Sequence, residues 1–407
     1  IEEVLNSLVL TEDAINKIMS TFEKQISYAN SKDEETRKKS DLFWECTYVT
    51  GLLSGKENGQ YLGLDLGSTN FRVVRAVFKN GFSFSFPSIQ KSLKHSVLVT
   101  WTKSFKCPDG PGLDPVVLLE EAINRRGGLS VTVDVMARIS DTTGTLMAGN
   151  YMDPNCRIGL ILGENYSIIN VYVPIRGSNA CFVERVENYN KLETDTGSDK
   201  VLVNCEWGAL GDNGCLDFMK SEFDKDLDLN SNHANSYSFE KLFSGYFLGE
   251  LVRLVLVKLT KASCLFNGQS SDNLLKPYFF TTAFVTAIER DTTSSENTMT
   301  VLEKLELDKV ASEDDIATIR ETCAVMSQRG AYIVAAALAV LLNHINLPEV
   351  TIGIDGSLYE HHPKFHDHIM HLLTKLVPKT KSRLILVKDG SGQGSAFVAA
   401  VESQQSS

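Results

Sequence analysis

The sequence of 407 residues lacks most features that mark secreted, membrane or nucleic-acid-binding proteins. Its eight cysteines are scattered and never form a C-x-x-C pair, which argues against a zinc site or a disulfide framework and favours reduced thiols. Basic residues number 40 against 51 acidic ones, and the net charge of −11 argues against a nucleic-acid or anionic-membrane surface.

Long apolar runs are also lacking. The longest run, "AYIVAAALAVLL" from Ala331, is shorter than the roughly 20 residues that cross a bilayer, so we expect a central helix packed on all sides and no transmembrane segment. The first residues, "IEEVLNSLVLTEDAINKI", are acidic with helical periodicity, which excludes a secretion signal and a basic transit peptide. Together these features predict a cytoplasmic location.

What the sequence does contain is an alternation of strand-like and helix-like segments. A chain of this length predicts two domains, and the alternation predicts an α/β architecture. "DPVVLLEEAINRRG" and "SFEKLFSGYFLGELVRLVLVKLTK" have helical spacing, and "SDTTGTLMAG" is typical of a helix start. Strands are predicted for "YLGLDL", "IGLILG", "GSNACFVE", "VTIGID" and "SRLILV".

Three small-residue turns follow apolar strands, in "LDLGSTNFR", in "DGS" from Asp355 and in "DGSGQG" from Asp389. Each is compatible with an ordinary tight turn. Backbone N–H groups of such turns also bind anions, and Asp65 could face a metal or its bound water. Because three such turns occur, we favour a nucleotide site.

Several polar residues stand where chemistry is possible. Asp141 in "SDTTGT" is either part of a helix N-cap cluster or a general base at a strand end. Thr102 and Lys103 follow an apolar strand, as a surface turn or as a cation directed at a transferred phosphate. Glu206 lies beside a tryptophan, and Glu250 lies in an apolar helix, where an acid is costly unless it is paired or used.

Taken together, these stretches resemble the hexokinase family over nearly the whole chain from Trp44 to Val401. The resemblance is carried, in family order, by "YLGLDLGSTNFRV", "FSFSFP", "LVTWTKSFK", "SDTTGTLMAGNYMDPNCRIGLILG", "GSNACFVE", "CEWGALGDNG", "FSGYFLGELVR", "IGIDGSLYEHHPKF" and "KDGSGQGSAFVAAV". It implies a two-lobed actin-like ATPase fold of the ribonuclease H-like kind. The small domain would be 60–139 completed by a helix over 394–407, and the large domain 1–59 and 140–393.

The resemblance also implies an activity, ATP-dependent phosphorylation of glucose or a related hexose at the 6-hydroxyl. Mg²⁺ would be carried by ATP, with no metal ligand directly assigned and Asp65 as a candidate contact through water. The chain would act as a monomer. Asp141 would be the base and Lys103 would neutralise developing charge. Hexose contacts fall on Ser85, Thr102, Lys103, Ser140, Asp141, Asn179, Glu206 and Glu250. ATP contacts fall on Asp65, Gly67, Ser68, Thr69, Asn70, Arg72, Asp355, Gly356, Ser357, Gly390, Ser391 and Gly392.

Four departures from the family pattern accompany the resemblance. Ser68 replaces the second glycine of the first phosphate turn, and Ser140 replaces an asparagine before the catalytic aspartate. Near 78–81 the chain lacks further small-domain strands and a helix, which predicts a sheet with one apolar face exposed. The loop G-T-G-S-N is split, because 164–176 separate Gly163 from Gly177 and the threonine is absent.

These departures leave an alternative open. The chain could be a catalytically impaired, hexokinase-like sugar-binding or regulatory protein, or the product of a defective splice or gene-model variant. An actin- or chaperone-like ATPase shares the nucleotide turns but does not account for "WTK", "GSNA" and "EWGALGDNG".

Overall fold

The computed structural model describes residues 1–49, 51–54, 61–66, 71–84, 86, 88–101, 107–126, 135–163, 177–192 and 197–405. Strands and helices are mixed throughout this part, which confirms the α/β class. The strands are β1 Glu45–Cys46, β2 Tyr61–Leu66, β3 Phe71–Phe84, β4 Ser88–Gln90, β5 Ser96–Leu98, β6 Ala137–Ile139, β7 Cys156–Leu162, β8 Ser178–Arg185, β9 Lys200–Asn204, β10 Glu349–Asp355 and β11 Lys381–Leu386.

The helices fill most of the rest of the described chain. They are α1 Glu2–Asn6, α2 Glu12–Ala29, α3 Glu34–Arg37, α4 Pro115–Arg126, α5 Asp141–Met152, α6 Glu222–Leu229, α7 Ser238–Lys241, α8 Leu248–Lys261, α9 Asp272–Leu275, α10 Thr282–Arg290, α11 Glu296–Lys304, α12 Glu313–Ile345, α13 Ser357–His361, α14 Phe365–Leu376 and α15 Gly390–Gln405.

A six-stranded sheet in the order β1-β9-β8-β7-β10-β11 forms the larger core. β7, β10 and β11 run parallel, whereas β8 and β9 extend the sheet antiparallel. Because side chains alternate along a strand, Ala180 and Phe182 of β8 join the cluster around α12, and Cys181 and Val183 join the cluster around α5. The sheet is therefore covered on both faces.

Helix α12 is the centre of that core. Within the described residues it is the one helix long and apolar enough to cross a membrane, and 83% of its most apolar window is buried inside the molecule. Its start is fixed by a capping box, in which Ser312 accepts from Asp315 N–H and the Asp315 side chain accepts in return. The prediction of a buried central helix is confirmed.

A smaller sheet in the order β2-β3-β6 comes entirely from residues between 61 and 139. The partners along β3 fall into two series: Leu66 pairs with Phe71 and Leu62 with Arg75, while Leu66 also pairs with Phe84. The first and second parts of β3 therefore lie on opposite sides of β2. The link around 78–80 is very short, at the point where the sequence resemblance predicts missing elements.

The small sheet is not bare at its described side chains. Leu64 and Phe84 belong to an apolar cluster that Val116 and Leu119 of α4 complete, and α15 packs against β2, β3 and β6. The expectation that the small sheet exposes an apolar face is therefore wrong at Leu64 and Phe84, because α4 covers these side chains. Helix α15 also begins at Gly390 rather than at residue 394.

The segment predicted as one long helix from Ser238 is divided into α7 and α8. The chain turns between them because Ser244 O accepts from both Phe247 N and Leu248 N, and Gly245 N donates to Gly163 O at 3.2 Å. Because of this break, Glu240 of α7 and Glu250 of α8 lie in different surroundings.

Candidate functional site

A cleft of about 310 Å³ opens between the larger core and the residues around Phe84 and Val99. Phe84, Phe86, Val99 and Thr100 form one wall. The remaining lining comes from the strand ends, turns and helix starts of the larger core: Phe43, Ser140, Asp141, Ile161, Gly177, Ser178, Asn179, Glu206, Gly208, Ala209, Asp212, His233, Ser236, Tyr237 and Glu240. Clefts of this size, with aromatic walls and a few convergent polar groups, are typical small-molecule sites.

Asp141 reaches the cleft as the first residue of α5. Its Oδ1 accepts from the N–H of Thr142 at 2.8 Å, which fixes the rotation of the carboxylate. Ser140 is the N-cap, and its Oγ accepts from Thr143 N at 3.3 Å and lies 2.9 Å from the Thr142 hydroxyl. The two sequence readings of "SDTTGT" therefore coexist: Ser140 caps the helix while Asp141 lines the cleft.

Beside Asp141, three side chains form a hydrogen-bonded network. Asn179 Nδ2 donates to Asn204 Oδ1 at 2.8 Å and to Glu206 Oε1 at 3.1 Å, and Asn204 Nδ2 donates to the same Glu206 oxygen at 2.7 Å. Thr142 Oγ1 donates to Asn204 Oδ1 at 3.2 Å, which ties the network to α5. Asn179 and Glu206 of this network line the same cleft as Asp141.

The backbone of Glu206 is strained. Its φ of 48° and ψ of 50° lie in the left-handed region, which costs a residue other than glycine about 1–2 kcal/mol. Such strain persists where surrounding contacts over-determine it, and it is concentrated at functional sites. Here the hydrogen bonds from Asn179 and Asn204 hold the carboxylate at the cleft wall.

Glu240, which the sequence analysis did not select, lines the cleft, whereas the predicted Glu250 does not. Glu250 is buried in α8, where both of its oxygens accept from Arg253, at 2.6 and 2.8 Å, and Oε2 also accepts from Tyr278 N at 2.6 Å. The break between α7 and α8 separates the two acids. A glutamate at the start of the helical pattern, "SFEKLFSG", was the signal available for Glu240.

Asp212, His233 and Tyr237, which line the cleft together with Glu240, were also missed by sequence reasoning. Asp212 accepts from the backbone N–H of Tyr237 at 3.0 Å and of Ser238 at 2.8 Å. This holds Tyr237 at a φ of 59°, with its ring in a T-shaped contact with His233. Burial, reinforced by Glu240, Glu206 and Asp212, raises the pKa of Tyr237 to about 12, so the phenol stays neutral at physiological pH.

A second group of predicted residues meets at the end of β7 and β10. Asp355 Oδ2 accepts from Gly390 N at 3.1 Å, joining two of the predicted phosphate turns. Gly356 has a φ of 135°, and a Cβ there would lie 2.0 Å from Leu162 O and 2.9 Å from Gly163 N. Only glycine lets these backbones approach so closely, and Ser357 then begins α13.

The other glycine-rich stretch lies inside a helix. Gly390, Ser391 and Gly392 form the buried first turn of α15, where a Cβ on Gly390 would meet Thr145 at 2.9 Å. Ser391 Oγ lies 2.8 Å from Ser83 Oγ, which links α15 to the small sheet. Close packing of α15 on α5 and β2 accounts for these small residues. The prediction of a turn over 390–392 is therefore wrong, because these residues begin a helix.

Several predicted residues lie outside the described part of the chain: Gly67, Ser68, Thr69, Asn70, Ser85, Thr102 and Lys103. Asp65 and Arg72 are paired in the register of β2 and β3, and only their backbone is described. The stretch 164–176 also lies outside, but its edges do not: Leu162 pairs with Ser178 across the antiparallel strands β7 and β8.

No group of three or more His, Cys, Asp or Glu side chains in the described residues is arranged to hold a metal ion. The eight cysteines, all of which are described, are free thiols. This part of the molecule therefore offers the cleft hydrogen-bond donors, carboxylates and close backbone turns.

Two family models, both described as hexokinase, match the chain. One matches residues 174–401, and the other matches in two pieces, 1–80 and 76–151. The two pieces of the second match overlap at 76–80, and residues 152–173 between the two models are matched by neither.

Curated relatives and a solved structure agree with these models. Hexokinase-1 of Homo sapiens is 32% identical over 458 residues, and Hexokinase-2 of Equus caballus is 35% identical over 458 residues. Each alignment covers 98% of this chain and 48% of the relative, so the chain spans about half the length of the curated relatives it matches.

Among solved structures, the hexokinase from Schistosoma mansoni complexed with glucose is similar with a TM-score of 0.86 and 30% identity, over 98% of this chain and 97% of that one. The fold and two family models thus agree along the described cores, and the chain belongs to the hexokinase family.

Proposed function

We propose that this protein transfers the terminal phosphoryl group of ATP to the 6-hydroxyl of glucose or a related hexose, the first step of glycolysis. The observation that carries the proposal is the meeting of Asp141 with the network of Asn179, Asn204 and Glu206 in one cleft. The similar structure from S. mansoni, which was solved with glucose, supports a hexose as the occupant.

The cleft suits a sugar because a hexose carries many hydroxyls and two weakly apolar faces. The carboxylates of Glu206 and Glu240 accept hydrogen bonds from hydroxyls, and the amide oxygen of Asn179 can accept one as well. The rings of Phe86 and Tyr237 supply apolar surface. Family resemblance adds Ser85, Thr102 and Ser140 to these contacts.

Asp141 would act as the general base. A base must lie within hydrogen-bond reach of the proton it removes, and Asp141 lies at the cleft wall with its carboxylate rotation fixed by Thr142. It would accept the proton of the 6-hydroxyl as that oxygen attacks phosphorus. Lys103 would neutralise the charge that develops on the transferred group.

The turns at 355–357 and Gly163 are suited to the phosphate side, because glycine lets backbone N–H groups approach an anion closely. In the resemblance, Asp65, Gly67, Ser68, Thr69, Asn70 and Arg72 complete this side from the small domain, and Gly390, Ser391 and Gly392 lie toward the adenosine. ATP would bring the phosphoryl group together with its Mg²⁺. We further propose that the chain is a cytoplasmic monomer.

A direct test is a coupled assay of the purified chain with ATP, Mg²⁺ and glucose. The proposal expects glucose 6-phosphate as the product, detected by the NADPH that glucose-6-phosphate dehydrogenase forms. Omission of glucose should abolish the signal. The absence of glucose 6-phosphate at saturating ATP and glucose would contradict the proposed activity.

A second candidate is sugar binding with impaired turnover. It is favoured by the stretch 164–176, which divides two glycines of an expected active-site turn and lies largely in the part that neither family model matches. One family model matches in two pieces that overlap at 76–80, and the alignment of 458 residues exceeds this chain of 407; both observations support missing small-domain elements. Calorimetry that detects glucose binding without turnover would favour this candidate.

One variant separates the two candidates. Because Leu162 pairs with Ser178, replacing 164–176 with a single threonine would leave the short connection Gly-Thr-Gly between paired strands. If the stretch impairs ATP binding, this variant should lower the KM for ATP and leave the glucose Kd unchanged. An unchanged KM for ATP would argue against impairment. Sequencing of the mature transcript would decide whether 164–176 are encoded in frame.

A further inference from the structure

Arg138 is a buried cation in the three-residue strand β6, three positions before Asp141. Its side chain is 6% exposed. The guanidinium donates from Nη1 to Gln90 Oε1 at 2.7 Å and from Nη2 to the backbone oxygens of Phe84 at 2.9 Å and Phe86 at 3.2 Å. Burying the charge of an arginine in a short strand costs free energy, so another interaction must compensate for it.

Its described partners are neutral. None of the hydrogen bonds that the structure gives Arg138 goes to a carboxylate, and Nε is buried without a partner among the described residues. Burial lowers the pKa of Arg138 to about 10, which the nearby charges of Glu206, Asp114 and Asp141 oppose, so the side chain stays protonated at neutral pH. A purely structural position of this size would be filled at lower cost by an apolar side chain.

The two carbonyls that Arg138 holds bracket residue 85. The rings of Phe84 and Phe86 lie 5.0 Å apart and line the cleft, and the guanidinium carbon lies 5.4 Å from the centre of the Phe84 ring. Gln90 is itself oriented, because its Nε2 donates to Ser92 O at 2.7 Å and to Arg138 O at 3.2 Å. Arg138 therefore connects β6, the strand that precedes Asp141, to Phe84 and Phe86 in the other wall of the cleft.

We propose that Arg138 is a positioning residue of the sugar site, a clamp that fixes the backbone at Phe84 and Phe86 against the strand preceding Asp141. The inference rests on the proposed function, since it assigns the clamped wall to a hexose. The planar guanidinium suits this task because its Nη1 and Nη2 groups reach separate acceptors in fixed directions. Lysine keeps the charge but presents a single nitrogen.

Arg329 provides a matched control. It is also buried, and its guanidinium donates to both oxygens of Asp224, at 3.0 and 2.7 Å, and to Met219 O at 3.2 Å. None of these three residues lines the cleft. Arg138→Lys and Arg329→Lys therefore make the same chemical change, one at the clamp and one away from it.

The test compares both variants with the unaltered chain in three measurements: glucose Kd by calorimetry, KM for ATP, and hydrogen exchange of the amides from Phe84 to Gln90. Arg138→Lys should raise the glucose Kd about tenfold or more and speed exchange in that segment, with KM for ATP changed less than about twofold. Arg329→Lys should lower the melting temperature but change the glucose Kd less than about twofold.

Two results would overturn the clamp. One is an unchanged glucose Kd and unchanged exchange in Arg138→Lys, and the other is an equal loss of glucose affinity in Arg329→Lys, which would indicate general destabilisation. Should Arg138→Lys not fold, Gln90→Met is the substitute, since it removes one acceptor of the clamp. If the unaltered chain binds no glucose, the proposed function fails, and the exchange comparison alone decides whether Arg138 holds this wall.

Discussion

The side-chain amide of Asn179 donates to the Glu206 carboxylate over 3.1 Å, which joins the start of strand β8 to the strained turn that follows β9. Asn204 donates to the same oxygen at 2.7 Å. Both amides therefore hold Oε1 of Glu206, and this carboxylate lines the cleft.

Glu206→Gln should weaken glucose binding. The substitution keeps the shape but removes the negative charge, and a hydrogen bond to a charged group contributes about 1.5–3 kcal/mol, or roughly ten- to a hundredfold in Kd. Calorimetric titration with glucose measures the change, and Glu187→Gln, an exposed acid outside the cleft, is the control. A glucose Kd equal to that of the unaltered chain would exclude Glu206 as a sugar contact.

Glu240 and Glu250 should respond in opposite ways to the same substitution. Glu250→Gln leaves Arg253 buried without its ion pair, which costs about 3–5 kcal/mol of unfolding free energy, and should leave the glucose Kd nearly unchanged once folded. Glu240→Gln should raise the glucose Kd about tenfold with a small effect on unfolding. Urea unfolding and calorimetry on both variants check the pair, and the reverse pattern would restore Glu250 as the sugar contact.

Gly356→Ala should destabilise the chain more than Gly112→Ala. Both glycines have positive φ, 135° and 89°, but a Cβ at Gly356 would lie 2.0 Å from Leu162 O, whereas a Cβ at Gly112 meets nothing within 4 Å. Gly112→Ala should cost only the backbone strain of about 1–2 kcal/mol. Gly356→Ala must also displace the end of β7, so its urea midpoint should fall further and its KM for ATP should rise. Equal midpoints would contradict this close approach.

Thiol labelling should divide the cysteines by burial. Cys107 and Cys264 are exposed, whereas burial raises the pKa of Cys46 to about 11 and that of Cys181 to about 12, which keeps these groups as unreactive thiols. Maleimide at pH 7 should therefore add quickly at Cys107 and Cys264, and intact mass after labelling in guanidinium should show all eight sites. Rapid labelling of Cys181 in the native chain would contradict its packing against α5.

Much of the cleft could be predicted from the sequence because local patterns determine it. "SDTTGT" predicts a helix N-terminus, which makes Asp141 the first residue of α5. The apolar runs on either side of 164–176 predict two strands, whose ends carry Gly163 and Asn179. Each of these residues lies at the end of a strand or the start of a helix that the local sequence predicts, so its position depends little on packing with distant parts of the chain.

The contacts that sequence reasoning missed depend on tertiary packing. Glu240 and Glu250 both lie within the same apolar pattern, and only the turn stabilised by Ser244 and Gly163 separates them. Asn204 and Asp212 act through partners 25 residues away, at Asn179 and Tyr237. The stretch at Gly390 has the composition of a loop, and its packing against α5 makes it a helix.

The most direct test of the central claim is the rate of glucose 6-phosphate formation by the unaltered chain and by Asp141→Asn. General-base catalysis contributes about 10²–10⁴-fold, so the substitution should lower kcat by that order and leave the glucose Kd within about twofold. Turnover by the unaltered chain together with its loss in Asp141→Asn is the predicted result. Equal rates in the two proteins, or glucose binding without any turnover by the unaltered chain, would contradict the account.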